Sequence, residues 1–263
     1  MAEEAPARPP AEPSNLDPDR YAELPRLLVY DARQVLGSRQ HWDSSDWTLA
    51  WAGGAVILGT ALLLDRPADK ALENQGTRAG WNRAAKAMEP FGSVAGVGIA
   101  ATLYLAGPLF GPEVRSTGTD AVVAIAIAEL GITLPLKELV GRARPVDNQG
   151  THSFRPFGGG QSFPSGHTTV AFALASVVSE HADRVWVSCT AYGIAGLVGL
   201  ARVEERNHFL SDVVAGGLIG TFVGRVVFDR NQILRGKGSS KLVVAFSPVL
   251  MAGGAGLSLS AKF

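Results

Sequence analysis

Three short clusters hold the side chains able to do chemistry in this chain. The first, KELVGRARP, contains Lys137, Arg144 and Pro145; the second, PSGH, is residues 164–167; the third, ARVEERNHFLSD, contains Arg202, His208 and Asp212. Taken singly each is ordinary: two helix-flanking cations, a helix cap, and a histidine–carboxylate pair four residues apart. Taken together they fit phosphate chemistry. Ser165 at the N-cap of an apolar helix leaves the N–H groups of Gly166 and His167 at its positive end, which is an anion site. Gly166 lets an oxyanion approach the backbone closely. Lys137, Arg144 and Arg202 supply three cations, and the two arginines can fork onto phosphate oxygens.

Phosphoryl transfer also needs a nucleophile and an acid on opposite sides of the phosphorus. His208 suits the first role, because Asp212 one helical turn on can accept one ring N–H and leave the other nitrogen basic. His167 suits the second, protonating the leaving oxygen. A phosphohistidine would form and water would release it. With the charge already supplied by side chains, no divalent metal and no cofactor is expected.

The elements that must position these residues read as helices in a membrane. Uncharged or nearly uncharged apolar runs cover residues 48–64, 90–112, 121–136, 164–179, 185–201 and 213–228, with Glu129 and Arg225 the charges inside them. Trp42 and Trp47 before the first run suit an interfacial aromatic belt. Thirty-one glycines suit close packing of membrane helices. The expected fold is therefore all-α, a six-helix transmembrane bundle whose loops near Lys137, Pro164 and Arg202 share one face. Residues 65–89 alternate charge with Ala, Leu and Trp and read as an amphipathic surface segment. Residues 137–163 form a long polar loop of the kind that carries function.

Residues 1–46 read as a largely disordered or interfacial lead-in, 47–230 as the helical domain, and 231–263 as a tail in which two short strands around Gly253 and Gly254 form a hairpin. The lead-in has no apolar core of the kind a secretory signal peptide carries. Net charge is zero, so no long-range field points to nucleic acid. The single cysteine, Cys189, excludes an intrachain disulfide and a cysteine metal site.

The clusters Lys-x6-Arg-Pro, Pro-Ser-Gly-His and Arg-x5-His-x3-Asp resemble, in order and spacing, the three signature motifs of the type 2 phosphatidic acid phosphatase superfamily. That superfamily includes membrane lipid phosphatases, soluble acid phosphatases and vanadium-dependent haloperoxidases. The resemblance implies His208 as nucleophile, Asp212 as its partner, His167 as acid, and Lys137, Arg144, Ser165, Gly166 and Arg202 as phosphate binders. Ala201 departs from the pattern, which has Ser before the arginine, and removes a hydroxyl but no charge. The implied protein is a metal-independent membrane phosphatase acting on a phosphomonoester or pyrophosphate of a lipid. It would sit in a bacterial inner membrane with its site on the outer, periplasmic face. A vanadium-dependent haloperoxidase-like enzyme and a non-catalytic membrane protein that binds lipid headgroups remain as alternatives.

Overall fold

The computed structural model describes residues 16–37, 44–73 and 89–237 together with residues 42 and 87, and the backbone of two strands beyond them. The first fifteen residues of the expected lead-in and residues 74–86 of the expected amphipathic segment lie outside the described residues. Helix α1 is Leu24–Gly37 and α2 is Ser44–Leu63. Helix α3, Asp65–Glu73, follows almost at once, and α4 is Val94–Phe110. Helix α5, Pro112–Ala126, widens into a π-helix at Ile127–Thr133 and resumes as α6, Leu134–Val140. Helices α7, α8 and α9 are Gly166–Ala182, Val185–Glu204 and Leu210–Leu234. Near the end of the chain, β1 (Val243–Met251) pairs antiparallel with β2 (Gly254–Lys262).

The expected six-helix transmembrane bundle is corrected. Among the described residues four helical stretches are long and apolar enough to cross a membrane: Asp46–Leu63, Pro112–Val140, Val185–Glu204 and Leu210–Leu234. The reason lies at the helix ends. Pro112, read as the end of the second run, instead occupies the first turn of α5, where its missing N–H costs nothing. That shortens the second run to the 17 residues of α4 and lengthens the third to 29 residues, Pro112–Val140. The fourth run becomes the 17-residue α7, which carries polar residues at both ends and lies at the centre of the bundle.

The core explains that centrality. Helix α7 buries Thr168, Thr169, Ala173, Ser176 and Val177, and α9 packs along it through glycines. A methyl group on Gly216, Gly220 or Gly224 would collide with the α7 backbone or with Ser176, so the two helices touch main chain to main chain. Gly220→Ala should therefore cost about 1–3 kcal/mol of overpacking, read as a lower unfolding midpoint in detergent. On the outer faces, α2 exposes Trp51, Leu58, Leu62 and Leu63, α4 exposes Leu105 and Leu109, and α8 exposes Trp186 and Leu197. Apolar surface on this scale needs a covering, and lipid tails supply one.

The stretch read as a lead-in carries structure of its own. Helix α1 buries Leu27, Asp31 and Val35 against the bundle. At the same end Asp120 accepts from Asn231, from His181 and from two nitrogens of Arg235, and Arg235 also reaches Asp19. These ties fix the end of the bundle away from the motif residues.

Candidate active site

The π-turn before α6 has a local cause. Pro135 cannot donate to the residue four positions back, and its ring would crowd that carbonyl; widening the preceding turn relieves both. Helix α6 then ends at Gly141, whose left-handed conformation (φ 57°) closes the last turn onto Lys137 O at 2.8 Å. The carbonyl of Arg155 lies where a Cβ on Gly141 would stand, so the long loop can cross there only over a glycine. Beyond it the loop doubles back on Arg142: Ala143 N donates to Ser153 O at 3.0 Å, and Ser162 N to Arg142 O at 3.0 Å.

This fold brings the three clusters to one end of the bundle. Lys137 is buried and its Nζ donates to the carbonyls of Gln161 and Pro164, each at 2.7 Å. Ser165 N donates to Asp212 O at 3.0 Å, which locks the start of α7 to the start of α9. His208 N donates to Arg202 O at 3.2 Å, which ties the third cluster to itself across the α8–α9 turn. Ser165 stands at the N-cap position, but its hydroxyl does not cap; it accepts from Thr168 Oγ1 at 2.9 Å. The N–H groups of Gly166 and His167 stand in the first turn of α7, at its positive end. Arg144 holds its backbone with Asp147 at 2.9 Å, while its Nε is buried with no hydrogen-bond partner. Arg202 is buried and ion-paired to Glu205 at 2.6 Å.

His208 does not use Asp212 as expected. Its Nδ1 lies 2.6 Å from the backbone carbonyl of Ser162, whereas the nearest Asp212 oxygen is 3.9 Å away. A carbonyl can only accept, so Nδ1 carries the proton and Nε2 carries the lone pair. The group that orients the ring is therefore the Ser162 carbonyl. Asp212 acts one step back: its Oδ2 accepts from Ser162 Oγ at 2.6 Å and from Phe209 N at 2.8 Å. The carboxylate thus holds the residue that holds the histidine.

Burial pushes the His208 ring well below the usual histidine range, and the charge of Lys137 pushes it further; the Ser162 carbonyl opposes them, while Arg144 and His167 add to the lowering. The neutral ring persists as pH falls below about 6.5, the value of an unperturbed histidine. Activity that depends on its lone pair should keep its acid limb below that value, measured as kcat/KM against pH. In the same window the unfolded chain takes up the proton first, so stability falls with pH there.

Sequence reasoning missed Arg142. Its side chain is almost wholly buried, and it donates to Asp212 Oδ1, to Ser211 Oγ at 2.8 Å, to Asp65 Oδ2 at 2.8 Å and to Thr151 O at 2.7 Å. The rings of Phe209 and Phe154 lie over it with centroids at 4.2 and 5.4 Å. Asp65 completes the clamp by accepting from the amide and hydroxyl of Ser211 at 2.9 and 2.6 Å. The one hint in the sequence is a second arginine two residues before Arg144. Two carboxylates were also missed. A methyl group on Gly166 would stand 2.7 Å from Glu129 Oε1, so that carboxylate lies against the positive end of α7. Glu205 lies on Arg202.

The family model of the PAP2 superfamily matches residues 117–234, a range containing all three clusters. A lipid A 1-phosphatase of Porphyromonas gingivalis is 39% identical over 85 residues, which is 30% of this chain and 19% of that protein. A lipid A 4'-phosphatase of the same organism is 32% identical over 71 residues, or 27% of this chain and 30% of that protein. The chain thus spans less than a third of the length of either curated relative. A solved structure, the first transmembrane PAP2 type phosphatidylglycerolphosphate phosphatase from Bacillus subtilis, superposes with a TM-score of 0.45 at 20% identity, covering 81% of this chain and 96% of that one. The family match thus falls on the segment that holds every motif residue, and that segment is similar to the PAP2 superfamily.

Proposed function

We propose that the chain is a membrane phosphatase that removes phosphate from a lipid phosphomonoester or pyrophosphate by way of a phosphohistidine on His208. One observation carries the reading: Nδ1 of His208 is committed to the Ser162 carbonyl in a site that keeps the ring neutral, which leaves Nε2 with its lone pair. Nε2 attacks phosphorus as the bond to the leaving oxygen breaks, and His167 gives that oxygen a proton. Water then attacks the phosphohistidine, handing a proton to the now neutral His167, and phosphate leaves with both histidines restored.

Lys137, Arg144 and Arg202, with the N–H groups of Gly166 and His167, hold the non-bridging oxygens as charge builds on them. The orphaned Nε of Arg144 supports this role, since a buried donor without a partner is ready for an anion. Glu205 must share Arg202 with the phosphate, and a guanidinium has enough N–H groups for both. No step needs a divalent metal. The membrane is a bacterial inner membrane, with the site at its outer face.

Two relatives bear the name of lipid A phosphatases, so lipid A phosphates are the first substrates to test. The test is phosphate release by detergent-purified protein from lipid A phosphates, phosphatidic acid, phosphatidylglycerol phosphate and an isoprenoid pyrophosphate, each in excess EDTA. Release from at least one is expected. Silence across the panel would overturn the reading, and release only after magnesium is restored would overturn the metal-free mechanism.

A further inference from the structure

A groove of about 610 Å³, lined by polar residues, opens beside the site between one face of α3 and the loop at residues 148–153. Arg66, Lys70 and Glu73 line it at helical spacing on one wall, and Asn148 and Gln149 line the other. Asp69 belongs both to this groove and to the small cavity that His208 lines, so the two spaces meet at that residue. Thr151, in the loop wall, also accepts through its carbonyl from the Arg142 guanidinium, which donates in turn to Asp212. Because α3 begins two residues after α2 ends, the groove lies at the end of a membrane-length helix, where the headgroup of a lipid is found.

The lining decides what fits. Arg206 donates to Asn148 Oδ1 at 3.0 Å and to Asp69 Oδ1 at 2.8 Å, and Ser153 donates to Gln149 Oε1 at 3.3 Å. Both amide oxygens are occupied, so both amides present their N–H₂ edges. Donors therefore come from Lys70, Arg66 and the two amides, and acceptors from Glu73 and the second oxygen of Asp69. An acyl chain wants an apolar wall and a bare phosphate wants only donors. Hydroxyl groups, each donor and acceptor at once, want the two interleaved. The volume lies in the range of sites that enclose a whole small ligand, more than a glycerol moiety would occupy.

We propose that this groove is the headgroup subsite of the phosphatase described above, an assignment that rests on that reading, and that it takes the sugar rings of a glycolipid phosphate. The test compares a monophosphorylated disaccharide lipid with phosphatidic acid, in one detergent, for the wild type and for Lys70→Ala/Gln149→Ala. Both substituted side chains are exposed and stand on opposite walls, away from the phosphate. The wild type should favour the disaccharide lipid, and the double variant should lose about tenfold or more in kcat/KM on it through KM, with phosphatidic acid unchanged. Equal losses on both substrates, or no loss on either, would overturn the subsite while leaving the phosphatase standing. So would a wild type that cleaves phosphatidic acid and ignores the glycolipid. No release from either lipid would overturn the phosphatase and the subsite with it.

Discussion

His208→Ala is expected to lower kcat by about 10⁴-fold or more, the scale on which enzymes lose turnover when a covalent nucleophile is removed. The variant should still fold. What it loses is one ring and the hydrogen bond to the Ser162 carbonyl, a cost of about 1–3 kcal/mol if that carbonyl finds no water. Because the ring is held neutral in the folded chain, removing it strands no buried charge. Two measurements separate a chemical role from a structural one. Single-turnover reactions quenched in alkali should trap labelled phosphate on the wild type and none on the variant. Helical content and unfolding midpoint should stay close to those of the wild type. Turnover within tenfold of the wild type would end the assignment of His208 as nucleophile.

Arg142→Met is expected to destabilise the folded chain by about 3–5 kcal/mol, the usual cost of removing one partner from a buried ion pair. Two carboxylates, on Asp65 and Asp212, lose their shared cation in that variant, and both are completely buried. Adding Asp65→Asn should restore part of the loss, because one of the stranded charges is then gone; such coupling is the signature of direct contact. Arg142→Lys should fare little better than Arg142→Met. An ammonium is a point charge and cannot span Asp65, Ser211, Asp212 and Thr151 as the planar guanidinium does. Turnover should fall with stability, since Asp212 orients His208 only through Ser162. An unfolding midpoint for Arg142→Met equal to that of the wild type would show the clamp to be idle.

Much of the site was legible in the chain because its residues sit at fixed local spacings. His208 and Asp212 fall one helical turn apart, and Ser165, Gly166 and His167 fall where a helix must begin, whatever surrounds them. The fold was less legible. Apolar runs mark where helices are buried or lipid-facing but not where they start and stop. Pro112 could end one helix or open the next, and Pro135 gave no sign that the turn before it would widen. That widened turn carries Glu129 to the mouth of α7, a placement no period in the sequence announces.

The sequence by itself determined the candidates: which histidines, which cations and which helix end the proposed mechanism uses, since residue type and short-range spacing single these out. Only the tertiary structure decided the wiring between them. Arg142 and Arg144 are interchangeable on paper, and the choice between them falls to Asp65, 77 residues away in the chain. In the same way the Nδ1 of His208 goes to a backbone carbonyl of the long loop instead of to the carboxylate one turn along its own segment. Long-range hydrogen bonds of this kind depend on where the chain returns in space. A backbone oxygen also looks the same at every residue, so nothing in the order of side chains could have named the one at Ser162.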